Sequence, residues 1–121
     1  TDLFLDTLPY NAHTTASDAI WAGVPLITCI GNSFASRVSA SILASVCLED
    51  LITYSLKEYE DKAIEIGKDS KLIYDLKNKI TNNRKNLALF NSKNYTKNLE
   101  LAFEKMTQNF QNGCKFSDII I

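Results

Sequence analysis

The sequence predicts an α/β fold: a short parallel sheet with flanking helices, followed by C-terminal helices. Three observations carry that prediction. Residues 1–54 alternate short apolar runs with helix-like stretches in the order strand, helix, strand, helix, strand, which is the signature of parallel βαβ units. Small residues dominate both intervening helices, so they can pack closely on a sheet. From residue 55 the pattern changes to amphipathic helices with polar outer faces. Two parts follow: residues 1–54 as a βαβαβ unit and residues 55–121 as a helical segment.

Leu3 to Leu5 form an apolar run between Asp2 and Asp6 and read as a buried strand. Pro9 and Asn11 mark the loop behind it. Residues 14–22 read as a helix with Ala16, Ala19, Ile20 and Ala22 on its apolar face. Gly23 stops this helix and Pro25 prevents its continuation. Pro25 to Cys29 is a second buried strand, and Ile30 to Phe34 is a loop. Ala35 to Ser45 reads as a helix with Val38, Ile42 and Leu43 on one face, and Leu51 to Tyr54 as a third strand.

Ser55-Leu56-Lys57-Glu58 is a capping box that opens a helix to about Ile66. A second helix spans roughly Ser70 to Asn86, with Leu72, Ile73, Leu76 and Ile80 at helical spacing. A third runs from near Asn91 to about Phe110, and its stripe of Tyr95, Leu99, Ala102, Phe103 and Met106 is expected to face the core.

A chain of 121 residues, 45% of them hydrophobic, is enough for one compact domain. A net charge of −1 with no polybasic run argues against nucleic acid and against an anionic membrane as partners. Apolar stretches such as residues 41–44 and 118–121 are too short to cross a bilayer. Cys29, Cys47 and Cys114 form no CxxC pair, which argues against a disulfide framework and against a metal site. Cys29 and Cys47 read as small core residues in a reducing, cytoplasmic compartment. The sequence begins directly in strand-like residues without an initiator methionine, and it reads as a piece of a longer protein.

The only histidine, His13, stands at the predicted start of the first helix, followed by Thr14 and Thr15. Ligands of parallel α/β sheets bind where strand ends lead into helix N-termini. Free amides and the helix dipole there favour a phosphate. Thr14 and Thr15 add hydroxyl donors, His13 adds an imidazole donor, and Asp18 lies one turn on with an acceptor for a ribose diol. The same residues Thr15 to Asp18 also spell a capping box, so they equally suit a plain helix start. No Walker A loop and no GxGxxG motif is present.

Residues 2–43, with LDTxPxNxHTTxxDxxWAGxP followed by ASRVxxS, resemble the C-terminal catalytic segment of the O-linked N-acetylglucosamine transferases, the family shared with the SPINDLY-type proteins. The stretches EYEDKAIEIGKD and RKNLALFNSKNYTKNLELAFEKM resemble its tail, so the likeness covers almost the whole chain. The resemblance implies a Rossmann-like half-domain of an inverting, metal-independent GT-B glycosyltransferase with a UDP-sugar donor such as UDP-GlcNAc and a protein Ser/Thr acceptor. It implies that His13, Thr14 and Thr15 hold the donor diphosphate and that Asp18 contacts the ribose. It also implies that the catalytic residues, the phosphate-binding lysine, the uracil pocket and the tetratricopeptide repeats lie upstream, leaving no catalytic residue here. No cofactor is expected.

Two positions refine the likeness. Ile30-Gly31-Asn32 stands where the family commonly has Pro-Gly-Glu. His13 and Ala35-Ser36-Arg37-Val38 resemble the N-acetylglucosamine branch more than the SPINDLY branch. Other readings are a non-catalytic module that keeps the fold and a GT-B transferase acting on a non-protein acceptor. The last helix is also expected to pack partly against upstream residues, so that the isolated chain would expose an apolar stripe and dimerise through it.

Overall fold

The computed structural model describes residues 1–114 and 117–120; Ile121, the end of the apolar 118–121 run, lies outside the described residues. Three strands form one parallel sheet in the order β1 (Phe4–Leu5), β2 (Leu26–Cys29), β3 (Ile52–Thr53). Phe4 is opposite Leu26 and Leu5 opposite Ile27, while Thr28 is opposite Ile52 and Cys29 opposite Thr53. Helix α1 (Thr14–Trp21) joins β1 to β2, and α2 (Val38–Ser45) joins β2 to β3. The α/β expectation is therefore met in its element order. All four residues of β2 are buried, which fits a central strand covered on both faces. The first strand differs from the expectation of a buried run. It lies at the sheet edge, with Phe4 half-buried and Leu5 exposed.

The core joins Ala16 and Ile20 of α1 to Leu26 and Ile27 of β2 and to Ile42 and Leu43 of α2. Helices α3 (Leu56–Lys68) and α4 (Ser70–Asn83) add Ile66 and Ile80, with Tyr59, Ala63, Leu72, Ile73 and Leu76 packed against them. Half of the Ser55 capping box forms: Ser55 Oγ accepts from the Glu58 amide at 3.2 Å. The Glu58 carboxylate accepts from the Tyr54 amide at 2.8 Å, one residue before the cap. The helix expected to reach Asn86 ends at Asn83 and passes into a 3-10 turn, Arg84–Asn86. The following turn, Ala88–Phe90, carries Phe90 edge-on against Trp21, with ring centroids 4.9 Å apart.

Three expectations fail for identifiable reasons. The helix expected from Ala35 instead begins as a 3-10 turn, Phe34–Ser36, because Ser33 and Ser36 cap each other and the Ala35 carbonyl is taken by the Asn11 amide at 2.9 Å. Cys29 is buried as expected, but Cys47 is exposed at φ 58° in the turn that ends α2. The stripe of α5 (Ser92–Gln111) does not face the core: the helix buries no residue, and Tyr95, Phe103 and Met106 are exposed. Its apolar spacing is helical, but none of the described core residues lies opposite it. Among the described residues, no helix is long and apolar enough to cross a membrane.

Candidate functional site

The loop between β1 and α1 leaves the sheet at the carboxyl end of β1, and buried Asp6 organises it. Asp6 Oδ1 accepts from the Thr7 amide at 2.8 Å and from the Ala12 amide at 2.7 Å. Its other oxygen accepts from Thr28 Oγ1 at 2.6 Å, on the central strand. Thr53 Oγ1 in turn donates to the Thr28 carbonyl at 2.9 Å, so a line of hydrogen bonds crosses the sheet to the loop. Tyr59 on α3 donates to the Asp6 carbonyl at 2.9 Å. Burial first, and the Asp6 charge next, raise the Tyr59 phenol above its usual range.

The far end of the loop is tied to the β2–α2 connection. Asn11 is fully buried; its amide donates to the Ala35 carbonyl, and its Nδ2 donates to the Thr7 carbonyl at 3.0 Å. Ser39, buried in α2, donates to the Ala12 carbonyl at 2.8 Å. Gly31 also matters here, because a Cβ at that position would run into the Ser36 side chain, 2.7 Å from its Cβ. The Ile30-Gly31-Asn32 segment thus keeps the glycine that lets the second loop close up.

Held in this way, the chain turns helical at Thr14 with His13 at the N-cap. The capping box at Thr15 to Asp18 therefore does not form, since Thr15 is already inside the helix. No side chain caps the first turn, so its amides keep their bonding capacity. The His13 ring stacks on Tyr10 at 4.8 Å and meets Phe34 edge-on at 6.1 Å. His13 Nε2 and Asn11 Oδ1 are shielded yet make no hydrogen bond. A shielded donor or acceptor without a partner is uncommon enough to need an explanation.

The structure brings His13, Thr14 and Thr15 together at one helix start, with Thr14 and Thr15 exposed. Asp18 is exposed one turn further along the same helix. Chemically, this is a cluster of hydrogen-bond donors at the positive end of a helix dipole, a place suited to an anion. Among the described residues, no group of His, Cys, Asp and Glu side chains is arranged to hold a metal ion. Sequence reasoning missed Asp6, Asn11, Ser39 and Tyr59, which shape the loop without facing outward. The available signal was Asp6 itself, a carboxylate directly behind an apolar run.

Comparison with known proteins places this geometry in context. The family model described as Glycosyl transferase family 41 matches residues 1–99. A probable UDP-N-acetylglucosamine–peptide N-acetylglucosaminyltransferase SEC of Arabidopsis thaliana is 38% identical over 106 residues, covering 87% of this chain and 11% of the relative. A UDP-N-acetylglucosamine–peptide N-acetylglucosaminyltransferase of Caenorhabditis elegans is 30% identical, covering 98% of this chain and 10% of the relative. A mutant O-GlcNAc transferase of Thermobaculum terrenum superposes with a TM-score of 0.82 at 32% identity, covering 87% of this chain and 20% of that one. The chain thus spans about a tenth of the length of these two curated relatives.

Proposed function

The chain belongs to glycosyl transferase family 41, and on that premise we propose that it is the C-terminal part of a UDP-sugar-dependent protein O-glycosyltransferase, with UDP-GlcNAc as the donor. In this reading His13, Thr14 and Thr15 bind the donor diphosphate and Asp18 binds the ribose. The observation that carries it is the uncapped start of α1, presented by a loop that Asp6, Asn11 and Ser39 hold from three sides. A first turn held so firmly and left without a side-chain cap is ready to receive an anion. The activities for which the relatives are named support the donor and the peptide acceptor.

The chemistry asked of this part is leaving-group stabilisation. As the sugar departs, charge grows on the diphosphate, and prearranged amide, hydroxyl and imidazole donors stabilise it without reorganising. The helix end and these side chains take the place of a divalent cation, so transfer by the whole enzyme continues in a chelator. Transfer proceeds with inversion, and the acid/base groups, the uracil grip and the acceptor-selecting repeats come from upstream residues. Calorimetry of UDP binding to the protein expressed from its complete reading frame tests the site. Loss of affinity in His13→Ala and Thr15→Ala is expected, and unchanged affinity in both removes the assignment.

A further inference from the structure

The buried carboxylate of Asp6 is used by nothing in the proposed reaction, yet it is the most heavily bonded side chain of the loop. Resting on the diphosphate reading of residues 13–15, we infer that Asp6 is a positioning residue of the donor site, which sets where the start of α1 presents its donors.

Its three side-chain bonds are unevenly shared. One goes to the central strand, through Thr28 Oγ1 at 2.6 Å. The other two go to the loop itself, at its first residue, Thr7, and at Ala12, one peptide before His13. The carboxylate therefore spans the loop from end to end and fastens it to the sheet. Charge-assisted bonds of this kind are short and about twice as strong as neutral ones. Ser39 and Ala35 hold the same segment from the α2 side, at Ala12 and Asn11. Ala12 is thus gripped at both its amide and its carbonyl, and the next residue is the N-cap. Displacement of the Ala12 peptide would swing the His13 ring and the first amides of α1 together. Catalytic and binding groups need such support to stay within a fraction of an ångström of the productive geometry.

A simple staple for the fold would make a different prediction from a positioning residue. Asp6→Asn keeps the shape but replaces one acceptor by a donor and removes the charge. Thr28→Val removes only the bond to the sheet. In the protein from the complete reading frame, UDP affinity by calorimetry should fall about tenfold in Asp6→Asn and by roughly threefold in Thr28→Val. The KM for an acceptor peptide should not change. Thr28→Val leaves Asp6 Oδ2 without its donor and should melt a few degrees below the parent, while hydrogen exchange should speed up in residues 7–15 and not in the rest of the chain. The double variant Asp6→Asn with His13→Ala should lose less UDP affinity than the sum of the two single losses, because part of the Asp6 effect runs through His13.

Additive losses in the double variant overturn the inference. So does unchanged UDP affinity in Asp6→Asn where His13→Ala weakens it. If His13→Ala and Thr15→Ala themselves bind UDP normally, the diphosphate reading has failed and the inference falls with it, a result plainly different from the first two. Should Asp6→Asn not fold, the binding and exchange data of Thr28→Val decide, and normal values in both overturn the role.

Discussion

The imidazole of His13 lies on the Tyr10 ring with centroids 4.8 Å apart and planes 23° from parallel. The same imidazole meets Phe34 at 87°, so aromatic groups from two loops fix its plane. Aromatic pairs of this geometry are worth about 0.5–1.5 kcal/mol beyond the area they bury. Tyr10→Ala should therefore weaken UDP binding by roughly 2- to 12-fold through a loosened His13. Calorimetry reads this directly, and an affinity equal to that of the parent would show that the stack does not orient the ring.

His13 has a sharper test in its replacements. Losing a charge-assisted phosphate contact costs on the order of 1.5–3 kcal/mol, and His13→Ala should lose that much UDP affinity. His13→Gln retains a side-chain N–H and should recover part of the loss. Equal losses in both variants would mean that the ring, and not its hydrogen bond, matters.

Two glycines should respond to alanine with opposite signs. Gly23 ends α1 at φ +83°, and a Cβ there would sit 2.7 Å from Thr81 Cγ2. Gly23→Ala should destabilise by about 1–2 kcal/mol from backbone strain alone. Gly67 lies within α3 with nothing within 4 Å of the added Cβ. Gly67→Ala should stabilise by about 0.5–1 kcal/mol, since alanine loses less backbone entropy in a helix. Thermal denaturation of the two variants side by side gives the signs.

Tyr59 gives an alkaline prediction. Burial, followed by the charge of Asp6, raises its phenol above the ordinary value of 10.0. The unfolded chain therefore ionises this tyrosine before the folded one does. Its contribution to stability is complete below pH of about 10 and disappears as pH rises through the higher folded value. Tyr59→Phe should cost about 0.5–1.5 kcal/mol near neutrality by removing the bond to the Asp6 carbonyl. It should also flatten the alkaline loss, which denaturant titrations between pH 8 and 11 would reveal.

The outward face of α5 makes a prediction about association. Tyr95, Phe103, Met106 and Phe110 are all exposed along one helix that buries nothing. Contiguous apolar surface of this kind drives association. The chain expressed alone should sediment as a concentration-dependent dimer, and Phe103→Asp should return it to a monomer. A monomer at every concentration would count against the stripe as a contact surface.

The element order was legible because it rests on periodicity and punctuation. Gly23 and Pro25 end α1, and Ser55 with Glu58 opens α3, both through local chemistry that the chain carries wherever it folds. The position of His13, Thr14 and Thr15 at a helix start was legible for the same reason. What stood outside reach was non-local. Nothing near His13 in the sequence says that Ala12 is held by Asp6 and Ser39, six residues before it and 27 after it, in the loop that leads into the helix start at Thr14. Phe34 to Ser36 is tightened into a 3-10 turn by a bond from Asn11, again a partner distant in sequence. The α5 stripe misled because spacing reports which side of a helix is apolar, and says nothing about what lies opposite.

Among the described residues, the hydrogen bonds that shape the Thr7–His13 loop from outside come from Asp6, Thr28, Ala35, Ser39 and Tyr59, and none comes from beyond α3. The tail still reaches α1 by packing, through Phe90 on Trp21 and through Ile80 in the core shared with Ala16 and Ile20. Insertions, deletions or charge changes within α5, which buries no residue, can accumulate without breaking any of these bonds. A substitution as far away as Thr53, on the opposite edge of the sheet, reaches the Ala12 amide beside His13 through only two intermediaries, Thr28 and Asp6.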